Sequence, residues 1–83
     1  MHKDQRTTIV FGEVLKELRL RKSYSQEFLG RSAGFGRNYV ALLEKGERGP
    51  SIHTMLSLAK ALDLPFWELA KIFEERLEAA TKS

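Results

Sequence analysis

The segment Gln26–Lys45 reads QEFLGRSAGFGRNYVALLEK and contains two short amphipathic stretches separated by glycines. Ser25, directly before this segment, is a preferred N-cap residue for a helix. Gly34 stands where a short helix needs a left-handed residue after its last turn. The sequence therefore predicts one helix over about 26–33 and a second helix over about 37–45, which ends at the next glycine.

Two helices that cross at about 90–120° through a tight turn need a small residue where their backbones touch, and apolar residues on their inward faces. Gly30 provides the small residue. The apolar positions expected to point inward are Leu29, Phe35, Val40 and Leu43. This pattern is typical of a DNA-binding helix-turn-helix motif. It is also compatible with an αα-hairpin that has no role in DNA binding, and the segment alone does not choose between the two.

Apolar periodicity on the N-terminal side of this segment predicts another helix. It begins near Thr7 or Thr8, either of which can cap it, and it ends near Lys22, whose charge suits a helix C-terminus. The apolar face of this helix consists of Phe11, Val14, Leu15 and Leu18.

Two more helices are predicted on the C-terminal side. Ser51 caps the first of them, after a loop that contains glycine and proline. The core positions expected in this helix are Ile52, Met55, Leu56, Ala59 and Leu62. The last helix opens at Pro65 or Phe66 and runs to about Ala80, because proline is tolerated in a first helical turn. Its apolar side consists of Phe66, Leu69, Ala70, Phe73 and Leu77.

The predicted fold class is therefore all-α, with five helices in one domain over residues 8–80. The helix-turn-helix segment occupies residues 26–45 of that domain. Residues 1–7 are polar and charged, and they are predicted to form a flexible N-terminal segment. Residues 81–83 are predicted to form a C-terminal tail.

Composition excludes several classes of protein. The 83 residues include no cysteine, so the chain has no disulfide framework, no thiolate zinc site and no cysteine nucleophile. Its longest apolar run is far below the roughly 18 residues needed to span a membrane, and the N-terminus has no signal-peptide core. These features predict a cytoplasmic protein.

The net charge of +3 is distributed unevenly along the chain. Residues 1–50 contain ten Lys and Arg against six Asp and Glu, whereas residues 51–83 contain four against five. The basic excess therefore lies in the half that holds the helix-turn-helix segment, where it could contact a polyanion. Many solvated helix faces have the same composition, so charge alone does not identify nucleic acid as the partner.

The sequence gives little evidence for catalytic activity. The two histidines are His2, in the N-terminal segment, and His53, in the first turn of the fourth helix. Neither has a cysteine or a dense carboxylate cluster nearby, so neither a metal site nor a catalytic triad is expected. We predict that the chain is not an enzyme and needs no cofactor.

Beyond the quoted segment, the sequence resembles the lambda-repressor/Cro (XRE-like) family of helix-turn-helix DNA-binding proteins over about residues 11–69. The residues that carry the resemblance are Arg19, Ser25-Gln26-Glu27, Ala33-Gly34, Leu43-Glu44-Lys45-Gly46, Pro50-Ser51, Leu58-Ala59-Lys60-Ala61-Leu62 and Leu69. The chain departs from the family pattern at three places: Gly30 replaces the usual alanine, Gly36 the usual Ser or Thr cap, and Pro65 a common serine. It resembles small single-domain regulators of this family, including phage repressors, antitoxin-like repressors and the controller proteins of restriction-modification systems.

In such an architecture the second helix of the motif enters the major groove of DNA, and its first residues contact base edges. Arg37, Asn38 and Leu42 are the predicted base-reading residues, because Arg can bind guanine, Asn can bind adenine and Leu can contact a thymine methyl group. The predicted phosphate or supporting contacts are Gln26, Tyr39, Lys45, Arg48 and Arg21. The resemblance also implies an internal salt bridge between Arg19 and Glu44, and a supporting role for Gln26 beneath a side chain of the recognition helix.

One short helix rarely supplies enough specific affinity, so the sequence predicts a homodimer on a palindromic DNA operator. The expected dimer interface consists of Trp67, Ile72, Phe73 and Leu77.

Two alternatives remain open at this point. The chain could be an antitoxin-like or other protein-interaction module with a toxin-like partner, or it could bind DNA or RNA without sequence preference. Activation of transcription would further require RNA polymerase as a partner.

Overall fold

The computed structural model describes residues 5–82, and five α-helices follow one another along this part of the chain. They are α1 (Gln5–Arg21), α2 (Gln26–Ala33), α3 (Arg37–Glu44), α4 (Ile52–Ala61) and α5 (Phe66–Thr81). These residues contain no β-strand, so the prediction of an all-α fold with five helices is confirmed. No helix among them is long and apolar enough to cross a membrane.

Local signals in the sequence account for the starts of α2 and α4. The Ser25 hydroxyl accepts a hydrogen bond of 2.9 Å from the backbone N–H of Phe28, and the Ser51 hydroxyl accepts one of 3.0 Å from the N–H of Thr54. Each bond satisfies a backbone donor that has no partner within its helix. Both predicted caps are therefore confirmed.

The two ends of the helical region extend further than predicted. Helix α1 begins at Gln5, so residues 5–7 are helical, and the expected start near Thr7 or Thr8 is wrong. The reason is that no glycine or proline precedes this point to stop the helix. At the other end, Thr81 is the last residue of α5, and Lys82 is its C-cap. The remaining predicted terminal residues, 1–4 and 83, lie outside the described part of the chain.

The core lies between α1 and the helices that pack on it. Helix α1 packs against α3 and α5, while α2 packs against α3 and α4. Phe11 and Phe73 meet edge to face, with ring centroids 5.7 Å apart, and join α1 to α5. The buried apolar residues are Val10, Phe11, Val14, Leu15, Leu18, Leu29, Val40, Leu43, Leu58, Ala59, Leu62 and Leu69.

The predicted core face of α4 is partly wrong. Ile52 is 66% exposed and Leu56 is 48% exposed, whereas Leu58, Ala59 and Leu62 are buried. The apolar residues of α4 cover more than half of the helix circumference, so periodicity alone allows two overlapping faces. Packing against α2 and α5 selects the face centred on Leu58 and leaves the other two apolar side chains in solvent.

Gly12, which no sequence pattern identified, fixes the distance between α1 and α3. A Cβ atom at this position would overlap the carbonyl oxygen of Leu43 and would lie 2.8 Å from that of Glu44. Real Cβ atoms essentially never approach a backbone oxygen so closely, and backbone atoms cannot move aside as the end of a side chain can. The end of α3 can therefore approach α1 only where α1 has no side chain.

We predict that Gly12→Ala lowers the free energy of unfolding by about 1–3 kcal/mol or more, because the added methyl group must push two helices apart. Urea denaturation followed by circular dichroism measures this change. Gly36→Ser is the matched control, since a Cβ at Gly36 meets nothing within 4 Å and the hydroxyl can cap α3. The control should raise stability by a few tenths of a kcal/mol. Equal stability of the Gly12→Ala variant and the unsubstituted protein would contradict the prediction.

Candidate nucleic-acid interface

The turn between α2 and α3 is built from three glycines with different roles. Gly34 adopts the left-handed conformation, with φ of 87°, and its N–H donates to the carbonyl oxygens of Arg31 and Gly30. A Cβ at Gly30 would lie 3.0 Å from the carbonyl oxygens of both Phe35 and Gly36, so this position is already in tight contact. Gly36 caps α3 without a side-chain hydrogen bond. The two helices are thus held at a fixed distance and angle by backbone contacts.

The start of α3 presents the predicted base-reading side chains to solvent. Arg37 and Asn38 are exposed, and within residues 5–82 neither side chain forms a hydrogen bond or an ion pair. Leu42, one turn further along, is half-buried. Val40 and Leu43, on the opposite side of α3, are fully buried. The core therefore holds one face of α3 while the other face, with its two polar side chains in the first turn, faces outward.

Tyr39 joins α3 to the start of α4. Its hydroxyl lies 3.1 Å from the hydroxyl of Thr54, which also accepts a hydrogen bond of 3.1 Å from the hydroxyl of Ser51. The ring packs edge to face on Phe35, and the guanidinium of Arg48 lies 5.6 Å from the ring centroid. This distance is within the range of a cation–π contact. The Tyr39 ring thus supports a cation in the loop after α3, while its hydroxyl is engaged by α4.

Arg19, Glu44 and Gln26 form a polar cluster between α1, α3 and α2. The Arg19 guanidinium donates from Nε to Glu44 Oε2 at 2.6 Å and from its Nη2 to Oε1 at 3.0 Å. It also donates to the backbone carbonyl of Tyr24 at 2.8 Å. Only 9% of the Arg19 side chain and 4% of the Glu44 side chain are exposed. The salt bridge implied by the family resemblance is therefore present, and it is bidentate and buried.

Gln26 supports the recognition helix through the same carboxylate. Its Nε2 donates to Glu44 Oε1 at 3.0 Å, so the first residue of α2 is bound to the last residue of α3. The side chain is half-buried at the N-terminal end of α2, where backbone N–H groups and the helix dipole favour an anion. The Gln26 side chain thus contacts one side chain of α3, that of Glu44.

The other predicted phosphate contacts are distributed over several elements. Lys45, the C-cap of α3, is exposed, as is Arg48 in the next loop. Arg21 instead lies at the end of α1, and its guanidinium binds the Glu17 carboxylate at 2.7 Å. That carboxylate also binds Arg76 of α5. No hydrogen bond or ion pair in the described region joins Arg21 to α3, so the structure groups Lys45 and Arg48, but not Arg21, with the recognition helix.

Sequence reasoning missed two residues of this site. Gly12 lets α1 approach the end of α3, and buried Thr54 holds Tyr39. Thr54 could have been found as the residue that follows the Ser51 cap by three positions, where side chains often face back toward the cap. A glycine inside a helix, such as Gly12, indicates a close approach, but the sequence does not identify the element that approaches it.

Within residues 5–82 no group of three His, Cys, Asp or Glu side chains could hold a metal ion. His53 is exposed in the first turn of α4, and His2 lies outside the described residues.

Comparisons with known proteins agree with the geometry of α2 and α3. The family model described as "Helix-turn-helix" matches residues 15–73. A curated relative, the uncharacterized HTH-type transcriptional regulator YgzD of Bacillus subtilis (strain 168), is 41% identical over 61 residues, which are 74% of this chain and 92% of that protein.

Two solved structures have the same fold. The restriction-modification controller protein C.AhdI from Aeromonas hydrophila shares 44% sequence identity, with a TM-score of 0.72 over 75% of this chain and 94% of that chain. The restriction-modification controller protein C.Esp1396I, solved as a tetramer with its natural 35 base-pair operator, has a TM-score of 0.76 over 92% of this chain and 97% of that chain. Its sequence identity of 21% means that this second likeness concerns the fold alone.

The chain belongs to the helix-turn-helix family of DNA-binding transcriptional regulators, and the resemblance to its XRE-like members that the sequence indicated is confirmed. Within that family its similarity extends to the small controller proteins of restriction-modification systems, one of the groups of small regulators that the sequence resembled.

We predict that Glu44→Ala lowers the free energy of unfolding by about 3–5 kcal/mol, because it leaves the buried Arg19 charge without its partner. Thermal and urea denaturation measure the loss. Glu17→Ala is the matched control. It removes a carboxylate that binds two arginines nearer the surface, and it should cost no more than about 1 kcal/mol. Similar losses of unfolding free energy from the two substitutions would show that the buried salt bridge contributes no more to stability than the ion pairs of Glu17 do.

Proposed function

We propose that this regulator binds a specific operator in double-stranded DNA by placing α3 in the major groove, where Arg37 and Asn38 contact base edges. The observation that carries the proposal is that these two side chains stand exposed and uncommitted at the start of a helix whose other face is fully buried. A rigidly held helix with free polar groups in its first turn has the geometry that major-groove recognition needs. Leu42 follows one turn later and would contact a thymine methyl group.

Phosphate contacts would fix the position of α3 without reading sequence. Gln26 stands at the N-terminal end of α2, and its second Nε2 hydrogen remains available beyond the bond to Glu44. Lys45 and Arg48 follow the last turn of α3, and the ring of Tyr39 supports the Arg48 guanidinium. Cations and amides would therefore flank the base-reading turn on both sides. Arg21, bound to Glu17 on α1, would contribute less.

Base reading by Arg37 is tested by selecting preferred duplexes from a random pool and then measuring the affinity of variants. We expect Arg37→Ala to cost about 1–3 kcal/mol and to relax the preference at one base position, since it removes a bidentate contact. Lys45→Ala should weaken binding to all sequences alike and reduce the slope of log affinity against log salt by about one.

The matched control is Lys60→Ala, which removes an exposed positive charge from α4 and not from the α2–α3 unit. It should leave both the base preference and the salt slope nearly unchanged. An equal loss on all duplexes from Arg37→Ala would contradict the assignment of that residue to base reading. A steep salt dependence without any selected sequence would favour a non-specific nucleic-acid binder instead.

We propose that operator binding requires a homodimer, which contacts two DNA half-sites about 34 Å apart on one face of the duplex. An eight-residue recognition helix offers few base contacts, and two-fold symmetry doubles them. C.Esp1396I, whose fold this chain shares, was solved as a tetramer with its operator.

The proposed dimer surface lies at the junction of α4 and α5. Trp67, in the first turn of α5, is 65% exposed, and Ile52 and Leu56 share an exposed face of α4 because they are one helical turn apart. The other predicted interface residues, Ile72, Phe73 and Leu77, are half-buried and pack on the core. They would support the surface from beneath, while exposed large apolar side chains supply the contact area.

Sedimentation velocity of Trp67→Ala tests the dimer. We expect the unsubstituted chain to be a dimer and the variant to dissociate at least about 30-fold more readily, as for an aromatic residue at the centre of an interface. Phe28→Ala is the matched control, because Phe28 is a partly exposed aromatic residue on α2 and should not affect association. A chain that remains a monomer both free and on operator DNA would exclude the homodimer.

Binding of a different protein at this apolar surface, in place of a second copy of this chain, would indicate a different function. Purification of the chain with a stoichiometric protein partner bound at Trp67 would favour the antitoxin-like interaction module. A complex with RNA polymerase on promoter DNA would instead indicate activation. We propose that the chain itself acts without a cofactor in the cytoplasm.

A further inference from the structure

The outward face of α1 carries two exposed apolar residues with two opposite charges between them. Ile9, Glu13, Lys16 and Leu20 follow one another at intervals of four, three and four residues. Residues at these spacings lie above one another on a helix, so the four side chains form a nearly straight row. All four are exposed, including 45% of Ile9 and 54% of Leu20. We refer to these four residues as the α1 row.

The α1 row is self-complementary when two copies of α1 lie antiparallel. Ile9 and Leu20 are equally distant in sequence from the point between Val14 and Leu15, and the same holds for Glu13 and Lys16. A two-fold axis through this point therefore places Ile9 of one copy opposite Leu20 of the other. It also places Glu13 opposite Lys16, and the symmetry forms each of these contacts twice.

The charges in the α1 row are available for such a contact. Within residues 5–82 neither Glu13 nor Lys16 forms an ion pair, although Glu17 in the same helix binds both Arg21 and Arg76. The row therefore presents one uncommitted charge of each sign at its centre.

The surface beside Leu20 is slightly concave and open to solvent. A shallow depression of about 510 Å³ lies here, and its lining residues are Glu13, Lys16, Glu17, Leu20 and Arg21. In the antiparallel arrangement the Ile9 side chain of the second copy would enter this depression. An apolar side chain there would cover Leu20 and leave the charged groups at the rim, which is the usual arrangement of a protein interface.

We propose that the α1 row is a homotypic contact surface, through which two copies of this chain associate with their α1 helices antiparallel. Four side chains on each copy bury much less than the roughly 800 Å² per partner of a stable interface. The contact is therefore weak between free molecules and gains strength where copies are already held close together. If α4 and α5 also form the dimer of the proposed function, the α1 row joins two such dimers into a tetramer; this last step rests on the proposed function.

Charge reversal tests the α1 row. Glu13→Lys and Lys16→Glu each replace two attractive pairs by two repulsive ones, and each should raise the dissociation constant of the contact about tenfold or more. The double variant, Glu13→Lys with Lys16→Glu, restores complementarity and should associate as the unsubstituted chain does. A mixture of the two single variants should form a mixed complex, because each offers the charge that the other lacks.

Sedimentation equilibrium at high protein concentration measures these effects in the full chain, with circular dichroism to show that each exposed substitution leaves the fold intact. Trp67→Ala serves as the background for a second set of measurements, in which the α1 contact appears as a monomer–dimer equilibrium. In this background the α1 contact persists if the proposal is correct, even if no dimer forms through α5. Equal association of both single variants and the unsubstituted chain, or failure of the double variant to recover after both singles weaken, would overturn the proposal.

Discussion

The salt bridge between Arg19 and Glu44 is the interaction on which the geometry of this molecule depends. Its two charges lie between α1 and α3, and the same carboxylate binds Gln26 of α2. Burial makes this geometry specific, because each charge is removed from water and only its hydrogen-bonded partners in the protein compensate for the lost hydration. Three consecutive helices are thereby fixed around one carboxylate, and Gly12 sets how closely the first can approach the third.

This fixed unit consists of α1, α2 and α3, whereas the exposed apolar residues Ile52, Leu56 and Trp67 lie on α4 and α5. The core and the carboxylate of Glu44, the last residue of α3, hold the inward face of this helix. The polar side chains in its first turn therefore remain exposed to solvent. The basic residues that the structure describes in the first half lie on these three helices, in the turn after α1 and in the loop after α3. The exposed apolar residues of α4 and α5 belong to residues 51–83, where Asp and Glu slightly outnumber Lys and Arg. The surface proposed for DNA binding thus lies on different helices from the α4–α5 surface proposed for dimerisation.

The parts of the fold that follow local rules could be predicted. Ser25 and Ser51 cap their helices, and Gly34 ends α2, because hydrogen bonding and backbone conformation at these positions depend on nearby residues only. The face of α4 was predicted incorrectly, since Ile52 and Leu56 fit an apolar stripe as well as Leu58 does. The candidate site could likewise be predicted only in part from the sequence. The exposure of Arg37 and Asn38 follows from helical periodicity, whereas the bond between Tyr39 and Thr54 joins elements that the sequence cannot orient.

The sequence by itself determined five helices, their approximate ends, the turn between α2 and α3, and the polar residues at the start of α3. Each of these depends on interactions within a few residues of the chain. Only the tertiary structure decided which apolar side chains of α4 remain exposed, that Gly12 is the contact point of α1 and α3, and that Arg21 binds Glu17 away from the recognition helix. These outcomes depend on how whole helices pack, because a side chain is buried or exposed according to neighbours that are distant in sequence.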